Sequence, residues 1–107
     1  MSFRWPNKDP DEILDYSVDW SRFLGTATLS SATWYVDNES GTKTLLTATG
    51  TVNTLRSTSQ TISSDNKTAT VHLADGTNNM QYVIYCQITD SAGTTAERVI
   101  KLKVRDK

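Results

Sequence analysis

The 107-residue chain holds one cysteine, one histidine, two prolines and five glycines. Each scarcity excludes something. Cys86 alone cannot close an internal disulfide, so the fold must rest on its core. His72 is the single histidine, whereas a serine nucleophile needs a histidine with an acid beside it, and the chain has no strand-to-helix nucleophile elbow. Gly76 and Gly93 stand alone, outside any phosphate-cradling pattern, and read as turn residues. No apolar run approaches the ~20 residues of a membrane span, and the opening Met-Ser-Phe-Arg-Trp-Pro lacks the apolar core of a secretory leader. Neither charge sign dominates: 11 Lys and Arg face 12 Asp and Glu. A nucleic-acid binder would need a basic excess on one face. Also missing is apolar spacing at i, i+3 and i+4 over a helical length, which excludes an amphipathic helix.

What is abundant is hydroxyl: 28 residues are Ser or Thr. With many β-branched residues and 8% aromatics, that composition suits strands rather than disorder. The apolar residues recur every second position, the period of a strand with one buried and one wet face. Leu14, Tyr16, Val18 and Trp20 share one face, opposite Asp15, Ser17 and Asp19. Ala32, Trp34 and Val36 form a second such face, with Thr33 and Tyr35 outward. Ala69, Val71 and Leu73 point inward, between Thr70 and His72. Tyr82, Ile84, Cys86 and Ile88 lead through a turn at 90–93 into Ile100, Leu102 and Val104. The 43–63 region is Ser/Thr-rich and weakly patterned; Leu45, Leu46, Val52, Leu55 and Ile62 suggest two or three short strands there.

Seven or eight short antiparallel strands with turn signals between them indicate an all-β fold, a single β-sandwich over residues 13–107. Residues 1–12, with Pro6 and Pro10, read as an extended N-terminal arm. Several residues resemble immunoglobulin-like and fibronectin-like domains. Trp34 stands where those folds bury a tryptophan on the third strand. Tyr82 is the candidate tyrosine corner, its hydroxyl bonding backbone upstream. Cys86, lacking a partner, serves as a small buried apolar residue.

Candidate chemistry is sparse. Asp9, Asp11, Glu12, Asp15 and Asp19 are the one concentration of carboxylates. Asp15 and Asp19 lie roughly 13 Å apart along a strand, too far to share one calcium ion directly, so a solvated acidic face is expected, with no metal and no cofactor. Asn38-Glu39-Ser40 and Asn66-Lys67-Thr68 match glycosylation sequons by chance in a Ser/Thr-rich chain. Charge is uneven along the chain: residues 1–20 sum to −3 and residues 97–107 to +3. Opposite ends of this kind suit pairing of the first and last strands, or head-to-tail contact between neighbours. Phe3 and Trp5 on the arm either cover an open end of their own sandwich or dock on a neighbouring subunit.

Several segments resemble a family of small structural proteins of tailed bacteriophages. These are Trp5-Pro6-x-Lys8-Asp9-Pro10-Asp11-Glu12, Leu14-Asp15-Tyr16-x-Val18-Asp19-Trp20-Ser21, Ser30-Ser31-x-Thr33-Trp34-x-Val36, and Tyr82-x-Ile84 through Arg98-x-Ile100-x-Leu102-x-Val104-Arg105. The resemblance implies a non-enzymatic virion component assembled in the host cytoplasm, a fiber adaptor linking fibers to the head–tail or tail apparatus. Its partners would be other virion proteins (tail, fiber or capsid subunits), with several copies per particle and neither nucleic acid nor membrane. Phe3, Arg4, Trp5, Pro6, Asp9, Asp11, Asp15 and Asp19 are the expected partner interface. Two other roles fit the residues: a cement protein on the capsid, or a glycan-binding module using Tyr35 and Tyr85 as a flat aromatic platform.

Overall fold

The computed structural model describes residues 2–37, 43–49 and 54–106. Its strands are β1 (Ser2–Arg4), β2 (Leu14–Asp19), β3 (Leu29–Asp37), β4 (Thr44–Leu45), β5 (Arg56–Ile62), β6 (Thr68–Ala74), β7 (Met80–Asp90) and β8 (Thr95–Val104); a single helical turn, α1 (Ser21–Leu24), follows β2. They form one five-stranded sheet in the order β1-β8-β7-β3-β4 and one three-stranded sheet in the order β2-β6-β5. This is the all-β sandwich the alternation predicted. With β2 to β8 taken as B, C, C′, D, E, F and G, the order reproduces the immunoglobulin arrangement of B-E-D against C′-C-F-G.

One pairing departs from the antiparallel expectation. β1 runs parallel to β8, with Ser2 beside Val99 and Arg4 beside Lys101. The first and last strands thus lie side by side within one molecule, but the pairing sets two cations, Arg4 and Lys101, next to each other; the acidic residues of the N-terminal segment lie beyond β1. The chain then crosses from the edge of the large sheet to β2, at the edge of the small one.

The inward positions interlock between the sheets. Trp20, Trp34, Leu73, Tyr82, Ile84, Ile88, Ile100 and Leu102 are all buried. Each such aliphatic side chain contributes roughly 1.5–3 kcal/mol by leaving water. Trp34 of β3 lies directly opposite Cys86 of β7, where antibody domains bring their tryptophan against a disulfide. The tyrosine corner is formed: the Thr77 backbone N–H donates to the Tyr82 hydroxyl at 2.8 Å. The β7–β8 turn closes on Asp90, whose carboxylate accepts from the N–H groups of Ala92 and Thr94, both at 2.9 Å. Gly93 supplies the positive φ of 86° that the turn requires.

In the weakly patterned 43–63 region, Leu45 is 49% exposed. β4 is two residues long and sets Leu45 beside Tyr35, an outward position, which leaves Leu46 to enter the core. Period two cannot choose a face for a strand this short. Val52 and the Asn38-Glu39-Ser40 sequon lie outside the described residues.

Candidate interaction site

The arm is strapped along β8. Trp5 N–H donates to the Lys101 carbonyl at 2.9 Å and Lys8 N–H to the Lys103 carbonyl at 3.0 Å, while Arg105 N–H donates to the Lys8 carbonyl at 2.7 Å. Two side chains fix it further. The Trp5 ring stacks on Tyr16 of β2 at 4.5 Å and lies 6.2 Å from the Trp34 ring. Lys8 is fully buried; its ammonium donates to the carbonyls of Asp9 (2.9 Å) and Asp75 (2.7 Å). Burial holds its pKa below the usual lysine value, against the pull of the Asp75 carboxylate and those of Glu12, Asp9 and Asp11. The following acidic turn is closed by its own side chains: Asp9 N–H donates to Glu12 Oε1 and Asp11 N–H to Asp9 Oδ1. Those carboxylates cap backbone rather than converge, and among the described residues no three His, Cys, Asp or Glu are grouped to hold a metal ion.

Where the two sheets part at this edge, a cleft of about 290 Å³ opens. It is lined by Arg4, Trp5, Ser17, Val18, Asp19, Arg98 and Ile100. Three of the eight residues singled out from the sequence, Arg4, Trp5 and Asp19, meet here. Pro6, Asp11 and Asp15 are exposed elsewhere along the arm and β2, and Asp9 is half-buried in its turn. For Phe3 only the backbone in β1 is described. Arg98 is the residue that sequence reasoning passed over. Its guanidinium carbon lies 4.5 Å from the centre of the Trp20 ring, a cation–π stack, and Nη1 donates to the Asp19 carbonyl at 3.3 Å. The signal was present: Arg98 shares its parity in β8 with the inward Ile100, Leu102 and Val104, a charge where the pattern calls for apolar. The Asp19 carboxyl is held below its ordinary pKa chiefly by the Ser21 N–H, with Arg98 a smaller contribution.

A second cleft, of about 280 Å³, lies between β3 and β5 and is lined by Ala32, Trp34, Gln60, Thr61 and Ile62. On the outer face of the large sheet, Tyr35 and Tyr85 stand directly opposite each other. The Lys43 ammonium lies 5.0 and 5.2 Å from the two ring centres and pairs with Glu97. It covers a face of each tyrosine, where a sugar would have to stack. Cys86 is fully buried, and burial pushes its thiol up to about 12. At neutral pH it is therefore protonated and not nucleophilic.

A family model described as "Podophage GP4 fiber-tail adaptor protein gp77" matches residues 8–103. No curated protein matches the chain.

Proposed function

Because the chain belongs to this podophage fiber-tail adaptor family, whose members are structural parts of the phage tail, we propose that it links fibers to the tail apparatus by protein–protein contact, without catalysis. The family match over residues 8–103 carries the reading. The geometry supports it with an amphipathic cleft at one edge of the sandwich. Trp5, Val18 and Ile100 provide an apolar floor, and Arg4, Asp19 and Arg98 a charged rim. A buried apolar centre inside a polar rim is the usual anatomy of a protein interface. The exposed Asp11 and Asp15 extend that surface along the arm and β2. An adaptor of this kind is added to the particle in the host cytoplasm. It needs no disulfide there, consistent with the lone buried thiol.

Ser17→Tyr tests the cleft. Ser17 is exposed on the cleft wall, so the bulkier side chain fills the opening while leaving the core intact. The substituted domain should keep its circular-dichroism spectrum and melt within a few degrees of the parent, yet be lost from purified particles by mass spectrometry. Normal incorporation would remove the cleft from the interface. Absence of the unsubstituted chain from particles would remove the adaptor reading itself.

A further inference from the structure

At the edge of the sandwich opposite the arm, β3 and β4 of the large sheet stand across from β5 of the small one. β4 covers only part of β3. It pairs with Tyr35 and Val36, and the Leu46 N–H then donates to the Trp34 carbonyl at 2.9 Å. There the chain leaves β3 and crosses to β5: the Thr47 carbonyl accepts from the Ser57 N–H at 2.8 Å, and the Leu46 carbonyl from Gln60 Nε2 at 3.0 Å. At the far end of β3 the Leu29 N–H donates to the Asn66 carbonyl at 2.8 Å. Between these two pinned points residues 30–33 have no neighbouring strand on this side among the described residues, roughly 13 Å of open edge at about 3.3 Å per residue. Backbone groups of an antiparallel strand alternate between its two sides. Trp34 turns its carbonyl to β4, so Ala32, two residues earlier, turns its N–H and carbonyl to the same edge. No described backbone group meets either one there.

Beside this edge opens the cleft of about 280 Å³ between Ala32 and Trp34 on one wall and Gln60, Thr61 and Ile62 on the other. Nothing charged lines it. Trp34 is fully buried, and its indole N–H has no acceptor among the described residues, although buried donors are nearly always paired. Natural proteins guard an open edge with lysine, other charges or proline; residues 30–33 read Ser-Ser-Ala-Thr and carry none of these. We infer that an extended, uncharged segment of a second virion protein adds here as a strand beside β3, in line with β4. Its backbone answers the Ala32 N–H and carbonyl. The side chain in register with Ala32 falls on the same inward face and enters the cleft between Trp34 and Ile62, so an apolar residue stands there. A glycan offers no ladder of alternating N–H and C=O groups, and a charged side chain would be desolvated against Trp34 and Ile62 without a partner. Strand addition to a free edge, with a pocket for every second side chain, is a recurrent mode of peptide recognition. The inference rests on the adaptor reading, which calls for two partners: the cleft beside Trp5 serves one, and this opposite edge serves the other.

Hydrogen exchange on the unsubstituted chain, free and in purified particles, tests it. Exchange at the Ala32 amide should slow in particles by at least about tenfold, the factor that a hydrogen bond of about 1.4 kcal/mol confers. Crosslinking identifies the added strand. Thr61 is exposed on the cleft wall, so Thr61→p-benzoylphenylalanine sets a photoreactive group there without disturbing the core. Irradiated particles should yield an adduct to a different virion protein, mapped by mass spectrometry to an uncharged segment. Exchange needs no substitution, so it decides alone should the substituted chain fail to enter particles. Unchanged exchange at Ala32, an adduct only to a second copy of this chain, or an adduct only to a charged segment would each overturn strand addition. Each of these results leaves the chain in particles and the adaptor reading standing. Absence of the unsubstituted chain from particles overturns both.

Discussion

Trp5→Ala decides whether the arm belongs to its own domain or is held out for a neighbour. A tryptophan buries 150–250 Å² when fully enclosed. Trp5 is partly buried, so about 100 Å² leaves water on docking, worth about 2.5 kcal/mol at 25 cal/mol per Å². Its stack on Tyr16 at 4.5 Å, nearly parallel at 21°, adds about 0.5–1.5 kcal/mol beyond area. The backbone bonds to β8 survive in the alanine variant, so the expected loss is about 3–4 kcal/mol. For a domain of this size each kcal/mol lowers Tm by roughly 4–8 °C, so a fall of more than about 12 °C is expected. Differential scanning calorimetry at neutral pH reads it directly. Ile13→Ala is the control. Ile13 sits on the same connection but is 60% exposed, and its truncation should cost no more than about 0.5 kcal/mol. If Trp5→Ala melted no lower than the Ile13→Ala control, the strapped arm would be refuted, and the segment would be free to reach another subunit.

Two further perturbations probe the core. Tyr82→Phe deletes the hydroxyl that satisfies the Thr77 N–H and should destabilise by about 1–3 kcal/mol in urea titrations; an unchanged midpoint would mean that the corner does not hold the β6–β7 loop. Cys86 sets an alkaline limit. Its thiol titrates near 9.0 when unfolded and is pushed by burial to about 12 when folded. Between these values the unfolded chain sheds a proton that the native state keeps, so this stability is whole below pH 9 and drains as pH climbs. The loss is about 1.4 kcal/mol per pH unit. Tyr16, raised to about 12 by burial and then by Glu12, adds to the fall above pH 10. Cys86→Ala removes the thiol contribution and keeps that of Tyr16, so stability against pH should be shallower by about 1.4 kcal/mol per unit between pH 9.5 and 11. Parallel curves for the two proteins would show that the thiol is not sealed from water.

The sheets of this protein are legible in its sequence because a strand's side chains alternate with no tertiary help. Tyr16, Val18 and Trp20, then Tyr82, Ile84, Cys86 and Ile88, declare their buried face by parity alone, and the sandwich follows from having many such faces to cover. Trp34 and Tyr82 were also placed correctly, as the two positions where an immunoglobulin-like pattern has local chemistry. The faces of the 43–63 region were not legible, since a strand of two residues such as β4 holds no period. The opposite charge of the chain's two ends was visible in one dimension, but parity could not show that the segments lie side by side in parallel. Only folding brought Arg4, Trp5, Asp19 and Arg98 from opposite ends of the chain to one cleft, and it alone buried Lys8 in an acidic stretch that reads as solvated surface. Burial of a charge is decided by which carbonyls the fold delivers to it, here those of Asp9 and Asp75, and 67 residues separate Lys8 from the second of them. The alternation of side chains is a property of neighbours along the chain, whereas a site is a property of neighbours in space.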